Sequence, residues 1–194
     1  MGSAKYWFVA ALLAFGLWHL AAASYIYLKA QLAQRLLSHA WHETRITGKP
    51  SRPWPWADTW PVARLIAPDH AADIIVLEGS SGRSLAFAPG HLAGTPLPGD
   101  AGNSIISAHR DTHFRFLKDV RIGDRLLVEL PSGDRRAFRV QSTAIIDTHR
   151  AHVLERSEKQ LTLVTCYPFD ALRANTPLRF VVIAEPADVR STEL

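Results

Sequence analysis

The chain has 194 residues, room for one medium domain with an anchor or tail and too few for two large ones. Apolar residues make up 47% and charged residues 21%, which excludes a disordered charged tail as the main product. The net charge of +4 comes from 17 Arg and 5 Lys against 18 acidic residues, with no basic run longer than Arg135-Arg136, so a dedicated nucleic-acid surface is set aside. The single cysteine, Cys166, rules out an intramolecular disulfide and a multi-cysteine zinc site.

From Tyr6 to Leu28 there is no Lys, Arg, Asp or Glu, and Lys5 and Lys29 bracket the run. As a helix it is long enough to cross a hydrocarbon core of about 30 Å. Tyr6 and Trp7 at one end, and Tyr25 and Tyr27 at the other, suit the two interfaces. Ala21-Ala22-Ala23 before Ser24 resembles a signal-peptidase site, so a cleaved signal peptide is the second reading; against it, the apolar run continues through Ile26 and Leu28. The flanking charges do not decide the orientation. Leu28, Leu32, Leu36 and Ala40, with Leu37 and Trp41 beside them, predict a helix continuing as a stalk to about His42, or packing on the domain as an amphipathic helix. The predicted organisation is a transmembrane signal-anchor and stalk at 1–45, a linker at 46–61, a β-rich domain at 62–186 and a tail at 187–194.

Residues 50–61, PSRPWPWADTWP, hold four prolines and exclude a helix. Trp54, Trp56 and Trp60 would expose much apolar area in a free linker, which predicts docking on the domain or at a membrane interface, or a partner contact. Beyond Pro61 the β-like runs are Val62–Ala67, Asp73–Glu78, Ser104–Ala108, Arg125–Leu130, Ala137–Ile146, Gln160–Cys166 and Leu178–Ala184. Pro-Ser-Gly-Asp at 131–134 is a hairpin turn signal, and 89–102 reads as a long loop. Several runs are apolar on both faces, as in a closed barrel or sandwich core. Short helices are expected near Phe114–Lys118 and His152–Ser157.

Cys166 ends QLTLVTC, and the proline at 168 predicts that the strand stops there, with the thiol at a rim. Antiparallel pairing with the next strand would bring Arg179 beside it, where a guanidinium favours the thiolate and offers donors to an oxyanion. His109 ends SIISAH, another apolar run. Cys, His and Arg meet the needs of acyl transfer: a nucleophile, a proton donor and an oxyanion stabiliser. On the residues alone the bland readings stay open. A Cys at a strand end is commonly core filler, a His structural, and an Arg a surface ion-pair partner. His109 and His113 are four apart, but the strand pattern disfavours a helical metal pair. His-Arg-Asp lacks the Asn of a kinase catalytic loop, since Phe116 stands there, and VTCYP lacks the caspase surroundings of the cysteine.

TLVTC resembles the TLxTC motif of sortases, the membrane-anchored cysteine transpeptidases. GNSIISAHRDTHF, from 102, resembles the sortase strand that ends in histidine, and Arg179 in NTPLRFVV matches the arginine on the strand after the cysteine. GHLAGTPLPGDAGN, from 90, is similar to the loop ahead of the histidine strand, and the motifs occur in the family's order. WPWADTWP and TCYPFDALR look like the proteobacterial, Gram-negative type. The resemblance spans about 62–184 and implies a mainly β fold, a closed eight-stranded sortase-like barrel with short helices. It also implies Cys166 as nucleophile, His109 as general acid/base, Arg179 as the oxyanion or substrate-positioning group and Thr165 as a residue shaping the substrate pocket. Arg173 is the competing arginine. No cofactor is implied, and the scattered Asp147, Glu155 and Glu158 support no calcium site. The implied partners are a secreted protein with a C-terminal LPxTG-like sorting signal, an amine acceptor and the membrane. The implied location is the inner membrane, single-pass, with the domain in the periplasm. Hydrolysis at the same site by a tethered cysteine protease, and a non-catalytic peptide-binding barrel, are the alternatives. L,D-transpeptidases are set aside because their Ser-His-Gly-Cys signature is absent. The stretches 89–102 and 167–177 are lid candidates.

Overall fold

No proline occurs before Pro50, and the first helix, α1, runs unbroken from Ser3 to Thr47. The computed structural model describes residues 3–149, 159–171 and 176–187. Phe8, Leu12, Leu13, Phe15, Leu17 and Leu20 on α1 are each more than half exposed. With a mean hydropathy of 1.7 in its most apolar window, this helix is long and apolar enough to cross a membrane. The chain divides into two compact units, Met1–Leu36 and Leu37–Leu194.

Within the second unit the last turns of α1 are core. Leu37 is fully buried against Leu77 and Ala88, and Ala40 and Trp41 are buried on the same stripe. The Thr44 hydroxyl donates to the Ala40 carbonyl (2.8 Å) and accepts the Ser51 N–H (3.1 Å), which fixes the exit of the chain. Arg45 pairs at 2.8 Å with the buried carboxylate of Glu129. The helix outruns the expected end near His42 because its stop signal is Gly48, at φ 66°, whose N–H closes onto the Thr44 carbonyl at 2.9 Å.

The strands are β1 (Pro61–Ala67), β2 (Ala72–Glu78), β3 (Gly90–His91), β4 (Gly102–Ser107), β5 (Arg125–Glu129), β6 (Arg135–Asp147), β7 (Lys159–Cys166) and β8 (Leu178–Ala187). They close a barrel in the order β1-β2-β3-β4-β7-β8-β6-β5, sealed by antiparallel pairing of β1 with β5. The β2–β3 and β4–β7 pairs are parallel, and the others are antiparallel. Closure removes the exposed edges that an open sheet of short strands would leave. Inward side chains, among them Leu65, Val76, Ile106, Phe114, Leu126, Phe138, Leu163 and Val182, form one continuous core.

All seven predicted runs are strands, and the Pro131–Asp134 turn joins β5 to β6. The expected long loop at 89–102 is corrected, because it contains β3. Two residues between prolines carry no periodic signal, yet Gly90 packs against the Gly79 backbone so tightly that a Cβ would collide with the Gly79 carbonyl. The helix expected near Phe114–Lys118 is a 3-10 turn at Arg115–Asp119. The helix expected at His152–Ser157 lies outside the described residues. Two further short elements carried no sequence expectation: a 3-10 turn at Pro68–His70 and a helix, α2, at Gly82–Leu85 capped by Ser81. Trp54 meets Phe87 edge-on at 5.0 Å and Trp60 packs against the core, whereas Trp56 is 83% exposed.

Burial of Leu37 leads to a stability prediction. Leu37→Ala is expected to cost about 2–5 kcal/mol, whereas Leu37→Met, which keeps the volume, costs less than about 1.5 kcal/mol. Denaturant unfolding of the full chain in detergent checks both. Equal midpoints for Leu37→Ala and the parent would show that the end of α1 contributes nothing to the barrel.

Candidate active site

β7 is buried on both faces over Gln160–Leu163, and core membership separates its two faces. Leu161, Leu163 and Thr165 face the core, so Thr162, Val164 and Cys166 face outward. The same alternation sends Ile106 and Ala108 inward from β4 and its continuation, and Ser107 and His109 outward. On β8, Phe180 and Val182 turn inward, and Arg179 and Val181 outward.

Register brings two of the three predicted chemical residues together and ends β4 just short of the third. Cys166 pairs directly with Arg179 across the antiparallel β7–β8 seam. On its other side β7 runs parallel to β4, with Ser107 opposite Val164 as the last ladder pair. The seam continues past the ladder: the Ala108 N–H donates to the Val164 carbonyl (3.2 Å) and the Thr165 hydroxyl to the Ala108 carbonyl (2.7 Å). The ladder itself stops at Ser107 and Val164; the same register carried two residues further would set His109 beside Cys166. Cys166 and Arg179 are thus direct neighbours across β7–β8, and that extended register would complete a row with His109 on the same face.

Cys166 is half-buried and His109 is exposed, so solvent and a substrate reach the row from outside the barrel. Thr165 is 2% exposed and lies on the opposite face of β7 from Cys166, with its hydroxyl committed to Ala108. As placed, it steadies the base of the His109 segment and does not line the outer face. Arg173 lies outside the described residues, as do His152, Glu155 and Glu158. Among the described residues no group of three or more His, Cys, Asp or Glu side chains could hold a metal ion.

The turn after Cys166 is held by its aromatics. Tyr167 stacks on Phe180, and Phe169 meets Phe180 edge-on at 5.3 Å. The Tyr167 N–H donates to the Leu178 carbonyl, and the Thr176 hydroxyl donates to the Tyr167 carbonyl. Arg179 Nη1 donates to the carbonyls of Thr176 (2.6 Å) and Leu178 (2.9 Å), which pins the guanidinium at the rim. The stretch ahead of β4 is also anchored. The buried His91 ring contacts Glu78 (3.2 Å), the Pro96 carbonyl (3.0 Å) and the Thr95 hydroxyl (3.1 Å).

Sequence reasoning passed over two neighbours of this row. Burial holds the His113 imidazole below the ordinary histidine range, and the nearby His109 ring adds to the effect; a hydrogen bond to the Phe87 carbonyl works the other way. Arg110 follows His109 and is 6% exposed, with Nη2 donating to the Ala171 carbonyl at 2.7 Å. The signal for Arg110 was present. Alternation through Ile106 and Ala108 sends residue 110 inward, and a charge at inward parity needs a dedicated partner.

Residues 65–187 match the model of the sortase domain. The chain is 30% identical over 117 residues to sortase D of Bacillus subtilis (strain 168), covering 59% of this chain and 58% of that relative's length. Among solved structures, a sortase D5 transpeptidase of Clostridium perfringens superposes with a TM-score of 0.65 at 18% identity, covering 81% of this chain and 99% of that one. Sortase A from Corynebacterium diphtheriae gives 0.61 at 24% identity, covering 69% and 64%. At these identities the two superpositions speak for the fold alone. A family model that matches well over half of the chain, on a barrel of the same architecture, establishes that this chain belongs to the sortase family.

Proposed function

We propose that the protein is a membrane-anchored cysteine transpeptidase of the Gram-negative type. In this reading it cleaves an LPxTG-like C-terminal sorting signal on a secreted protein and passes the acyl group to an amine. The observation that supports the reading is the direct pairing of Cys166 with Arg179, beside a parallel β4–β7 seam that ends two residues short of His109 and of Cys166.

The Cys166 thiol passes its proton to His109, and the sulfur attacks the scissile carbonyl carbon, forming a C–S bond as the C=O π bond opens to a tetrahedral oxyanion. Arg179 donors stabilise that oxygen as its charge develops. The C–N bond then breaks, and His109 delivers a proton to the departing amine, leaving a thioester on Cys166. An incoming amine gives up a proton to His109 and attacks the thioester carbon; the C–S bond breaks as the new amide forms, and His109 returns the proton to sulfur, restoring the thiol. The acyl bond energy is kept in the thioester, so this chain of steps needs no nucleotide. Thr165 contributes by holding Ala108, the residue next to His109. α1 would hold the enzyme in the inner membrane with the barrel on the periplasmic side, beside substrates that are themselves membrane-retained. The organisation that goes with this reading is anchor and stalk at 1–45, linker at 46–61, catalytic barrel at 62–186 and tail at 187–194.

His113 adds a pH constraint on the fold. Its pKa is lower folded than unfolded, so at acid pH the unfolded chain takes up the proton more readily. Above about pH 6.5, the unfolded histidine value, there is no penalty. As the pH falls below it, stability declines until the folded ring titrates as well.

Incubation of the full chain in detergent with a sorting-signal peptide is expected to give a mass adduct on Cys166. Adding an amine should convert that adduct to a ligated product. Cys166→Ala abolishes both, and processing by Cys166→Ala at the parent's rate would sink the assignment. Accumulation of free acid even with excess amine would show a hydrolase instead. Arg179→Ala is expected to lower kcat by about 10²–10³-fold, the usual loss for one oxyanion donor, and Arg179→Lys to recover only part of it. Between pH 7.5 and 5.5 the Tm of the parent should fall further than that of His113→Gln; equal falls would remove His113 as a source of acid sensitivity.

A further inference from the structure

We infer that Arg110 is a positioning residue whose buried guanidinium ties the end of the His109 segment to the turn after Cys166, holding the wall of the proposed acyl-transfer site in place for substrate. The inference rests on the reading of that site as catalytic, and goes beyond it by assigning a residue outside the His109–Cys166–Arg179 row.

The contact lies beyond the end of the β4–β7 ladder, where no backbone pairing joins the two segments that leave it. Arg110 Nη2 donates to the Ala171 carbonyl at 2.7 Å, across 61 residues of sequence. Ala171 closes the Pro168 turn, since its own N–H reaches the Pro168 carbonyl at 3.4 Å. The other end of Arg110 is equally fixed. Ala108 is bonded on both backbone groups to β7, and the Phe114 N–H returns to the His109 carbonyl at 3.1 Å with Phe114 fully buried. One side chain therefore spans from a rigid segment to the turn that follows the nucleophile.

Packing alone does not hold that turn. Its aromatics pack on β8, but on the side of Asp170 a cavity of about 400 Å³ opens, lined by Arg110, Asp111, Arg115, Lys118, Phe169 and Asp170. Beside a space of that size, a fixed hydrogen bond from a buried group is what locates Ala171. Burying a guanidinium carries a desolvation cost that a replaceable surface contact would not justify, and Asp111 at 3.4 Å from Nε only partly offsets it. Arg suits the task where Lys does not: its planar fork directs one nitrogen at a carbonyl while another faces a carboxylate.

The test uses the full chain in detergent, with the parent, Arg110→Met, Arg110→Lys and Cys166→Ala side by side. Hydrogen exchange at Tyr167, Phe169, Asp170 and Ala171 is expected to speed up at least tenfold in Arg110→Met and less in Arg110→Lys, with β5 and β6 unchanged. Millimolar guanidinium should restore slow exchange in Arg110→Met. With a Leu-Pro-x-Thr-Gly peptide, KM should rise about tenfold in Arg110→Met while kcat stays within threefold. Exchange at 167–171 equal to the parent's, or protection lost evenly over the whole barrel, overturns the inference; so does a loss confined to kcat. Cys166→Ala as active as the parent would instead overturn the catalytic reading, and the exchange data would still decide whether Arg110 holds the turn.

Discussion

The parallel seam between β4 and β7 is the constraint on which the rest of the site depends. Antiparallel neighbours such as β7 and β8 are joined by a local return of the chain, so Cys166 and Arg179 meet at modest cost in sequence separation. His109 lies 57 residues before Cys166, and the strands that lead to the two residues are neighbours only because β5 and β6 form in between and the chain then re-enters beside β4 in the same direction. A parallel ladder is intrinsically slanted and somewhat weaker. Here it is reinforced where it ends, by the Ala108 N–H and by the Thr165 hydroxyl on Ala108. A one-residue slip in this register would turn His109 to the core and Ala108 to solvent, because side-chain parity has a period of two. The buried threonine thus protects the geometry of a residue it does not touch.

That dependence explains what could be read in advance. The strands were legible because their apolar runs are bounded by Gly, Pro and Asp clusters, and the meeting of Cys166 with Arg179 followed from one antiparallel turn. The approach of His109 to Cys166 was not derivable from spacing, since nothing local in SIISAH or QLTLVTC states that the two strands are neighbours or parallel. Only the family resemblance supplied it. β3 was hidden for a different reason: two residues cannot display a period, and its pairing is made possible by Gly90, whose missing side chain lets two backbones meet. The inward role of Thr165 was legible in principle, because alternation through Leu161 and Leu163 already gives its parity. The pocket-shaping role came instead from the family resemblance, which says nothing of which face Thr165 takes.

The end of α1 shows a similar competition between local and tertiary signals. Leu28, Leu32, Leu36 and Ala40 look like one apolar stripe, yet Leu28 and Leu32 are more than half exposed, while Ala40 is buried together with Leu37 and Trp41 beside the stripe. The stripe that packs is therefore offset from the one that the first residues suggest. Membrane-compatible and core-compatible apolar residues are chemically alike, so the sequence does not mark where one solvent gives way to the other. Polar groups mark it better. Thr44 and Arg45, which bond Ser51 and Glu129, sit where the helix must be fixed on the barrel rather than merely shielded.

Toward the rim that carries the site, the inward positions change character. β7 passes from Leu161 and Leu163 to Thr165, and the β4 segment from Ile106 through Ala108 to Arg110. An apolar core could have extended to the rim, and replacing a buried polar pair with well-packed aliphatics is often neutral or stabilising. Apolar packing is tolerant of small shifts, however, because it has no preferred direction. Acyl transfer loses rate steeply when reacting groups move by about 1 Å. Hydrogen bonds from Thr165 to Ala108 and from Arg110 to Ala171 impose direction and length at the two backbone segments that flank the proposed nucleophile and acid. The polar rim is therefore best understood as giving up some stability for position. It also accounts for the division of faces: the inner face of these strand ends fixes geometry, which leaves the outer face free to carry the proposed catalytic groups.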